Sequence, residues 1–417
     1  MAGDAQRATA SRGAGSGFRS VFAEREFRWL WVAGVQSLVG DQLARVALSV
    51  LVFQRTDSTL LTAAVYALTF LPAFLGGLLL GGLADRYPRR RVLISCDLVR
   101  AGLVATMALP SMPLAAVGAL LTLATMVGAP FKAAEPALLA DIFDGERYVT
   151  ALGLRTATYQ SSQLAGFALG GVAVAAVGAH TALAVDATSF AISAAVLRWG
   201  LTARPAARAG AQGSAELTGS GVLEGIRLVA RSRQLRLLLG LACLAGVWVI
   251  PEGLAVPYAA AVGGGAAATG WLLAANPAGN VVGALLISRL VRPDVRAGLV
   301  GPLAVAAGVP LVLCAFHPGL ALTLVLWALA GVCSSYQVPL IAEYVDALPD
   351  GRRGQAMGLA SAALLAVQGV GLLAGGALAQ GVGVVATIAI SGGVGGVLAM
   401  GMAVARSRNR LRAESTN

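Results

Sequence analysis

From Trp29 to Ala405 one apolar stretch of spanning length follows another, with only short polar interruptions. A soluble core breaks its apolar runs with turn and surface residues, whereas a helix crossing a bilayer needs about 20 consecutive apolar residues. The bilayer is therefore the solvent this chain is built for. Inside hydrocarbon every backbone polar group must be satisfied within the segment, which makes these runs helices. Charge agrees, because 12% of the residues are charged against about 25% in soluble proteins.

The runs resolve into expected spans at 29–53, 59–84, 92–109, 114–140, 149–177 and 183–201, then at 237–262, 268–290, 298–316, 320–345, 356–382 and 384–405. This is an all-α membrane protein of twelve transmembrane helices, in two halves of six covering 29–201 and 237–405. A linker at 202–236, flexible at its start and ending in a basic helix from about Val222 to Arg233, joins them. Tails at 1–28 and 406–417 complete the chain. The first 28 residues hold no apolar run, so the first span is expected to act as its own insertion signal.

The net charge is +11, and its distribution matters more than its sum. Most of the basic residues fall in the tails and in alternate connections, whereas Arg55 stands by itself on the other side. By the positive-inside rule both termini and the basic connections are cytoplasmic. Nucleic acid is not an expected partner, since no continuous basic face with stacking aromatics is present. Cys96, Cys243, Cys314 and Cys333 all sit in apolar stretches without paired spacing and read as small core residues. His180 and His317 lie in different connections, which gives no metal set. No Gly-x-x-x-x-Gly-Lys-Ser/Thr loop exists, and the single lysine, Lys132, is inside a span, so ATP-driven transport by this chain is excluded. No cofactor and no enzymatic nucleophile–base pair is expected.

The two halves repeat. Gln163-x-x-Gly166-x-x-x-Gly170-Gly171 recurs as Gln368-x-x-Gly371-x-x-x-Gly375-Gly376, 205 residues later. Pro136-Ala-Leu-Leu-Ala-Asp141 has a counterpart in Pro339-Leu-Ile-Ala-Glu343, and Arg25-x-Phe-Arg28 one in Arg233-x-Leu-Arg236. Parallel six-helix repeats are the expected signature of a rocking transporter with its site between the halves.

After the second span the chain reads Gly82-Leu-Ala-Asp85-Arg86-Tyr-Pro-Arg89-Arg90-Arg91, which resembles the Gly-x-x-x-Asp-Arg-x-x-x-Arg loop of the major facilitator superfamily. Phe27-Arg-Trp-Leu-Trp31 followed by Gly40-Asp41 resembles the branch of that superfamily containing macrolide and siderophore exporters. The resemblance implies the major facilitator fold, two pseudo-symmetric bundles. It also implies a cytoplasmic latch of Gly82, Asp85, Arg86 and Arg90, with Asp85 facing the start of span eleven and Arg86 pairing with Asp141. Arg289 and Glu343 would form a degraded second copy. The alternative is that Arg86 to Arg91 are topology charges. The chain departs from the superfamily's antiporter signature Gly-Pro-x-x-Gly-Gly in span five, with Phe167 where the proline stands. The packing glycines Gly166, Gly170 and Gly171, and Gly371, Gly375 and Gly376 in span eleven, remain.

An ionisable group at mid-bilayer costs roughly 2.5–3.5 kcal/mol on insertion scales, so each needs a reason. Asp41 and Arg45, four apart on one face, can neutralise one another, or Asp41 can carry a coupling proton. Glu252, in Pro251-Glu252-Gly253 beside Trp248 and Pro257, suggests a broken helix lining a cavity. Lys132 and Glu135 in span four are candidates for substrate and proton handling, with a snorkelling lysine the alternative. Asp97, Arg100 and Arg155 read as structural pairs near the inner interface, and Asp186 as a cap. Trp248, Phe131, Tyr159, Trp271 and Tyr336 could wall a site for an amphipathic substrate or simply pack. Asp41, Glu252 and Glu135 are thus the candidate proton carriers, and Arg45, Lys132, Trp248 and Tyr336 the candidate substrate contacts. The expected function is proton-driven export of amphipathic small molecules by a monomer in the cytoplasmic membrane. The alternatives are a nutrient importer or uniporter, or a transport-inactive sensor.

Overall fold

The computed structural model describes residues 17–205, 219–349 and 353–415, and the described residues are helical with short connections. Ten helices are long and apolar enough to cross a membrane: α1 (Arg25–Thr56), α2 (Thr59–Leu80), α4 (Leu114–Ile142), α5 (Gly145–Gly200), α7 (Arg233–Gly253), α8 (Ala266–Leu290), α9 (Val295–Phe316), α10 (Leu320–Asp346), α11 (Ala356–Val382) and α12 (Val384–Asn409). Between α2 and α4 runs α3 (Arg89–Met107), and before α7 lies α6 (Gly219–Arg231). The charges of α3, Asp97 and Arg100 among them, keep it below the apolar level of the others.

The 56-residue α5 is two helices joined at Gly178. Its backbone there has φ +79, a left-handed value that glycine adopts without steric penalty. The expected spans leave 178–182 as the connection; the single residue Gly178 makes the turn instead. Other turns at the same end also use left-handed residues, Asp57, Gly263, His317 and Gly383. Ser58 starts α2 by accepting a hydrogen bond from the Leu61 amide at 3.2 Å, a standard N-cap. The expected break near Glu252 is present. α7 passes through separate helical pieces, Ala245–Trp248 and Ile250–Gly253, and continues as Ala255–Ala261. Pro251 lacks an N–H and Gly253 has the lowest helix propensity after proline.

Large apolar side chains such as Leu79, Leu169, Trp199, Phe316 and Val397 are more than half exposed, while Asp97, Asp186, Gln42 and Thr62 are buried. This inside-out distribution suits a surface that meets lipid tails.

The two ends of the bundle differ. At the far end Arg55 donates to the carbonyls of Met112 (2.8 Å) and Pro110 (2.9 Å) and contacts His180 Nε2 at 3.3 Å, which ties three turns together. At the basic end Arg147 donates to the Ser20 carbonyl at 2.9 Å and Arg204 pairs with Glu26 at 2.6 Å. The latter holds the first residues after α5 against α1. The body of the 202–236 linker, 206–218, lies outside the described residues, as does most of the first tail.

Candidate functional site

The repeated glycines build the framework of the site. A Cβ on Gly166 would meet Gln42 and the Val39 carbonyl, and one on Gly170 would meet Leu43, all on α1. In the second half, Gly371 and Gly375 touch Gly246 and Ile250 of α7 in the same way. The last glycine of each motif faces the opposite half. Gly171 lies against Gly270 and Ala266 of α8, and Gly376 against Ala63 and Leu60 of α2. Each motif thus packs its helix on the first helix of its own half and seals it against the other half, which only residues without a side chain permit at this spacing. Phe167, standing where the superfamily has proline, is fully buried.

These seals lie toward the far end, and hydrogen bonds joining the halves sit there too. Gln380 Nε2 donates to Ser58 Oγ at 2.9 Å, the Thr59 hydroxyl to the Gly376 carbonyl at 3.4 Å, and the Tyr66 hydroxyl to Glu252 Oε2 at 3.0 Å.

Below the seal, between the halves, is a cavity of about 370 Å³. Arg45, Lys132, Tyr159, Gln160 and Gln163 line it from the first half, and Trp248, Glu252, Asn276, Asn280, Gln337 and Gln368 from the second. The repeat is visible in its wall, since Gln163 and Gln368 stand 205 residues apart. A second chamber of about 300 Å³ adjoins it at Lys132 and Tyr159 and extends toward the basic end, walled by Phe27, Leu30, Trp31, Val35, Leu38 and Phe131. Lys132 also borders a third space of about 70 Å³, beside Asp41, Arg45, Arg100 and Asp186. This lysine projects into cavities and does not snorkel to the interface.

Tyr336 is fully buried and does not line the cavity. Its hydroxyl donates to the Leu241 carbonyl at 2.9 Å and receives the Trp248 indole N–H at 3.3 Å, so it holds Trp248 in place. Trp271 is half exposed on the outer surface, whereas Phe131 and Tyr159 do face the chambers.

The membrane charges pair differently from the sequence expectation. Asp41 pairs with Arg100 at 2.5 Å, not with Arg45, and the Arg100 guanidinium stacks 3.9 Å from the Phe190 ring centroid, a favourable cation–π geometry. Position four residues on is close along one helix, but a third helix crossing α1 comes closer still. Arg45 is left among Tyr66, Tyr159, Asp41 and Glu252, with Phe70 at 5.8 Å. Glu135 binds Arg155 at 2.8 Å and not Lys132. Asp97 accepts from Ser193 at 2.5 Å. Asp186, expected as an interface cap, is buried against Gly40 and Ser189. In the first half two ion pairs, Asp41 with Arg100 and Glu135 with Arg155, thus lie beside Arg45, Lys132, Asp97 and Asp186. Asp97 Oδ1 and Asp186 Oδ2 have no hydrogen-bond partner among the described residues.

At the basic end, Asp141 pairs with Arg89 and not with Arg86, and Arg89 also donates to the Ala137 carbonyl at 2.8 Å. Arg86 is exposed. Pro88 ends the single turn Leu83–Arg86 and begins α3, which rotates Arg89 onto α4 and Arg86 away from it. Arg90 donates to the Arg198 carbonyl. The glycine four residues before Asp85 is Gly81, while Gly82 is exposed with open space around it. In the second half Glu343 pairs with Arg406 of α12, and Arg289 is exposed. Just before span eleven, whose start Asp85 was expected to face, are residues 351–355, whose side chains lie outside the described residues.

Reasoning from sequence missed Tyr66, Gln160, Asn276, Asn280 and Gln337. Amides inside apolar spans were the available signal.

The model of the transmembrane secretion effector family matches residues 16–416. The multidrug efflux pump Tap of Mycobacterium tuberculosis is 26% identical over 362 residues, 83% of this chain and 85% of that protein. The uncharacterized MFS-type transporter YkuC of Bacillus subtilis is 29% identical over 186 residues. That match takes in 43% of this chain and 42% of YkuC, so it spans less than half of that relative. Among solved structures, the nucleoside transporter NupG superposes with TM-score 0.75 at 14% identity, over 90% of this chain and 98% of its own. A bacterial homologue of the lysosomal transporter Spinster gives 0.69 at 15%, over 93% and 98%. At such identities the structures share the fold.

Proposed function

The chain belongs to the transmembrane secretion effector family of the major facilitator superfamily, and on that premise we propose that it exports amphipathic small molecules across the cytoplasmic membrane by proton antiport and alternating access. The observation that carries this reading is the cavity between the halves, sealed at the far end by Gly171 on Gly270 and Gly376 on Ala63. Counting α5 as two spans and α3 as one gives twelve, six in each bundle, on either side of the 202–236 linker. With the basic connections and both termini in the cytoplasm, the cavity is closed to the outside and reached from within.

The coupling follows from Glu252. In this state its carboxylate accepts the Tyr66 hydroxyl across the seal at 3.0 Å, an arrangement that fits the ionised form. Rocking the halves apart at the far end separates α2 from α7, removes that donor, and exposes the carboxylate to external protons. Protonation then offsets the penalty for an unpaired charge, and return to the cytoplasm-facing state releases the proton inside as Tyr66 and Arg45 close on Glu252. Asp41, held by Arg100, and Glu135, held by Arg155, can exchange protons along the same path. Arg45, Lys132 and Trp248 contact substrate, and Arg89, Arg90 and Asp141 brace the cytoplasmic end. The efflux function of Tap supports the export direction.

The test is proton movement in proteoliposomes carrying a pH gradient, with a panel of amphipathic drugs and siderophore-like compounds. Substrate-triggered proton flux is expected for the native chain and its loss in Asp41→Asn or Glu252→Gln. Passage of radiolabelled substrate with no proton flux would overturn the coupling.

A further inference from the structure

The cavity wall holds more hydrogen-bonding capacity than the protein itself uses. Gln160, Gln163, Asn276, Asn280 and Gln368 all face the central space, half-buried, and their side-chain amides have no protein hydrogen-bond partner among the described residues. Each amide offers both a donor and an acceptor. A hydroxyl group has the same double character, so a wall of free amides matches a ligand bearing several hydroxyls. It does not match a flat apolar ligand, which would strand those groups without water.

The charge at the wall points the same way. Arg45 and Lys132 stand against a single lining carboxylate, Glu252, which already accepts from Tyr66. This favours a neutral or acidic ligand over a cation. The adjoining chamber is more apolar, with Phe27, Leu30, Trp31, Val35, Leu38 and Phe131 on its wall, while the acids that border it, Asp41 and Glu135, are paired with Arg100 and Arg155. The two spaces meet at Lys132 and Tyr159, and at about 370 and 300 Å³ each is of small-molecule size.

We infer that the substrate is a neutral or acidic glycoside-like molecule, with its hydroxyl-rich head in the amide-lined cavity between the halves and its apolar aglycone in the adjoining chamber. This rests on the transporter reading and specifies its substrate. Gln163 and Gln368, at equivalent places in the repeat, grip the head from opposite bundles, and Phe131 with Trp31 receives the apolar part.

The experiment is equilibrium binding to the full chain in lipid nanodiscs, free of alkyl-glycoside detergent. The probes are nitrophenyl β-glucoside, β-galactoside, α-mannoside and β-glucuronide, with nitrophenol and ethidium as comparators. The glycosides are expected to bind more tightly than nitrophenol, and ethidium weakly. Gln163→Leu with Gln368→Leu should weaken the glycosides about 5- to 150-fold, the product of two neutral hydrogen bonds, and leave nitrophenol unchanged. Gln163→Asn with Gln368→Asn, which keeps polarity but shortens the reach, is the companion pair should the leucines impair folding, and it too should weaken only the glycosides. The inference is overturned if no glycoside binds better than nitrophenol, if ethidium binds best, or if a folded amide variant binds glycosides unchanged. Ethidium-driven proton flux without glycoside binding would sink this inference and leave the transporter reading intact. Glycoside binding with no proton flux would uphold the substrate class and remove the antiport.

Discussion

Replacing Gly171 by alanine should drive the protein out of the far-end-closed state. The added Cβ would stand 2.5 Å from Gly270 Cα and 2.7 Å from both the Ala266 carbonyl oxygen and the Gly270 nitrogen. Carbon atoms in favourable contact lie about 3.5–4.0 Å apart, so α5 and α8 must separate by roughly 1 Å. All three nearest atoms are backbone, and no side chain can rotate away. Forcing extra carbon into a packed contact costs about 1–3 kcal/mol. Alanine also favours helix over glycine by about 1 kcal/mol, but α5 is helical whichever end is open, so this gain cancels between the two states. The full penalty falls on the closed far end, and the equilibrium shifts about 5- to 150-fold toward the open one. Gln380 and Ser58, whose side chains meet at 2.9 Å across the seal, supply the assay. With Cys96, Cys243, Cys314 and Cys333 replaced, Ser58→Cys and Gln380→Cys should be bridged readily by a short bifunctional thiol reagent in the native background and much more slowly with Gly171→Ala. Gly376→Ala, whose Cβ would come 2.6 Å from Ala63 Cβ, should act alike from the pseudo-symmetric contact. Gly153→Ala, with nothing within 4 Å, should change nothing. Equal cross-linking in Gly171→Ala and the native background would refute the seal.

Three further outcomes follow from the pairings. Arg100→Met removes the partner of the half-buried Asp41 and should lower stability by up to about 3 kcal/mol; Asp41→Asn combined with Arg100→Met should recover most of it, read as thermal melting of the purified protein. Arg89→Ala should lower the melting temperature more than Arg86→Ala, because Arg89 holds both Asp141 and the Ala137 carbonyl while Arg86 is exposed; equal losses would restore the latch expected from sequence. Tyr336→Phe removes hydrogen bonds to Leu241 and Trp248, about 0.5–1.5 kcal/mol each, and should weaken substrate affinity several-fold by loosening Trp248, although Tyr336 itself is outside the cavity.

The sequence by itself determined that the chain is a helical membrane protein, because spanning length and apolarity are local properties that no tertiary context can reverse. The internal repeat was equally legible in Gln163 to Gly171 and Gln368 to Gly376, as was the irregular helix at Glu252, since Pro251 and Gly253 act on their own backbone. Membership of the superfamily could be read from Asp85-Arg86 and its neighbours. Tertiary structure decided who meets whom. Spacing along α1 puts Arg45 beside Asp41, yet α3 brings Arg100 to Asp41 as its ion-pair partner and leaves Arg45 facing the central cavity. Pro88 reorients the chain so that Arg89, three residues beyond Arg86, takes Asp141. The two faces of each glycine motif, one turned to its own bundle and one to the other, and the gathering of amides from α5, α8, α10 and α11 around one cavity depend on contacts between residues up to 317 apart in the chain. Such contacts arise from helix crossing and rotation, and periodicity in a helix that is apolar on nearly every side does not encode which face turns inward.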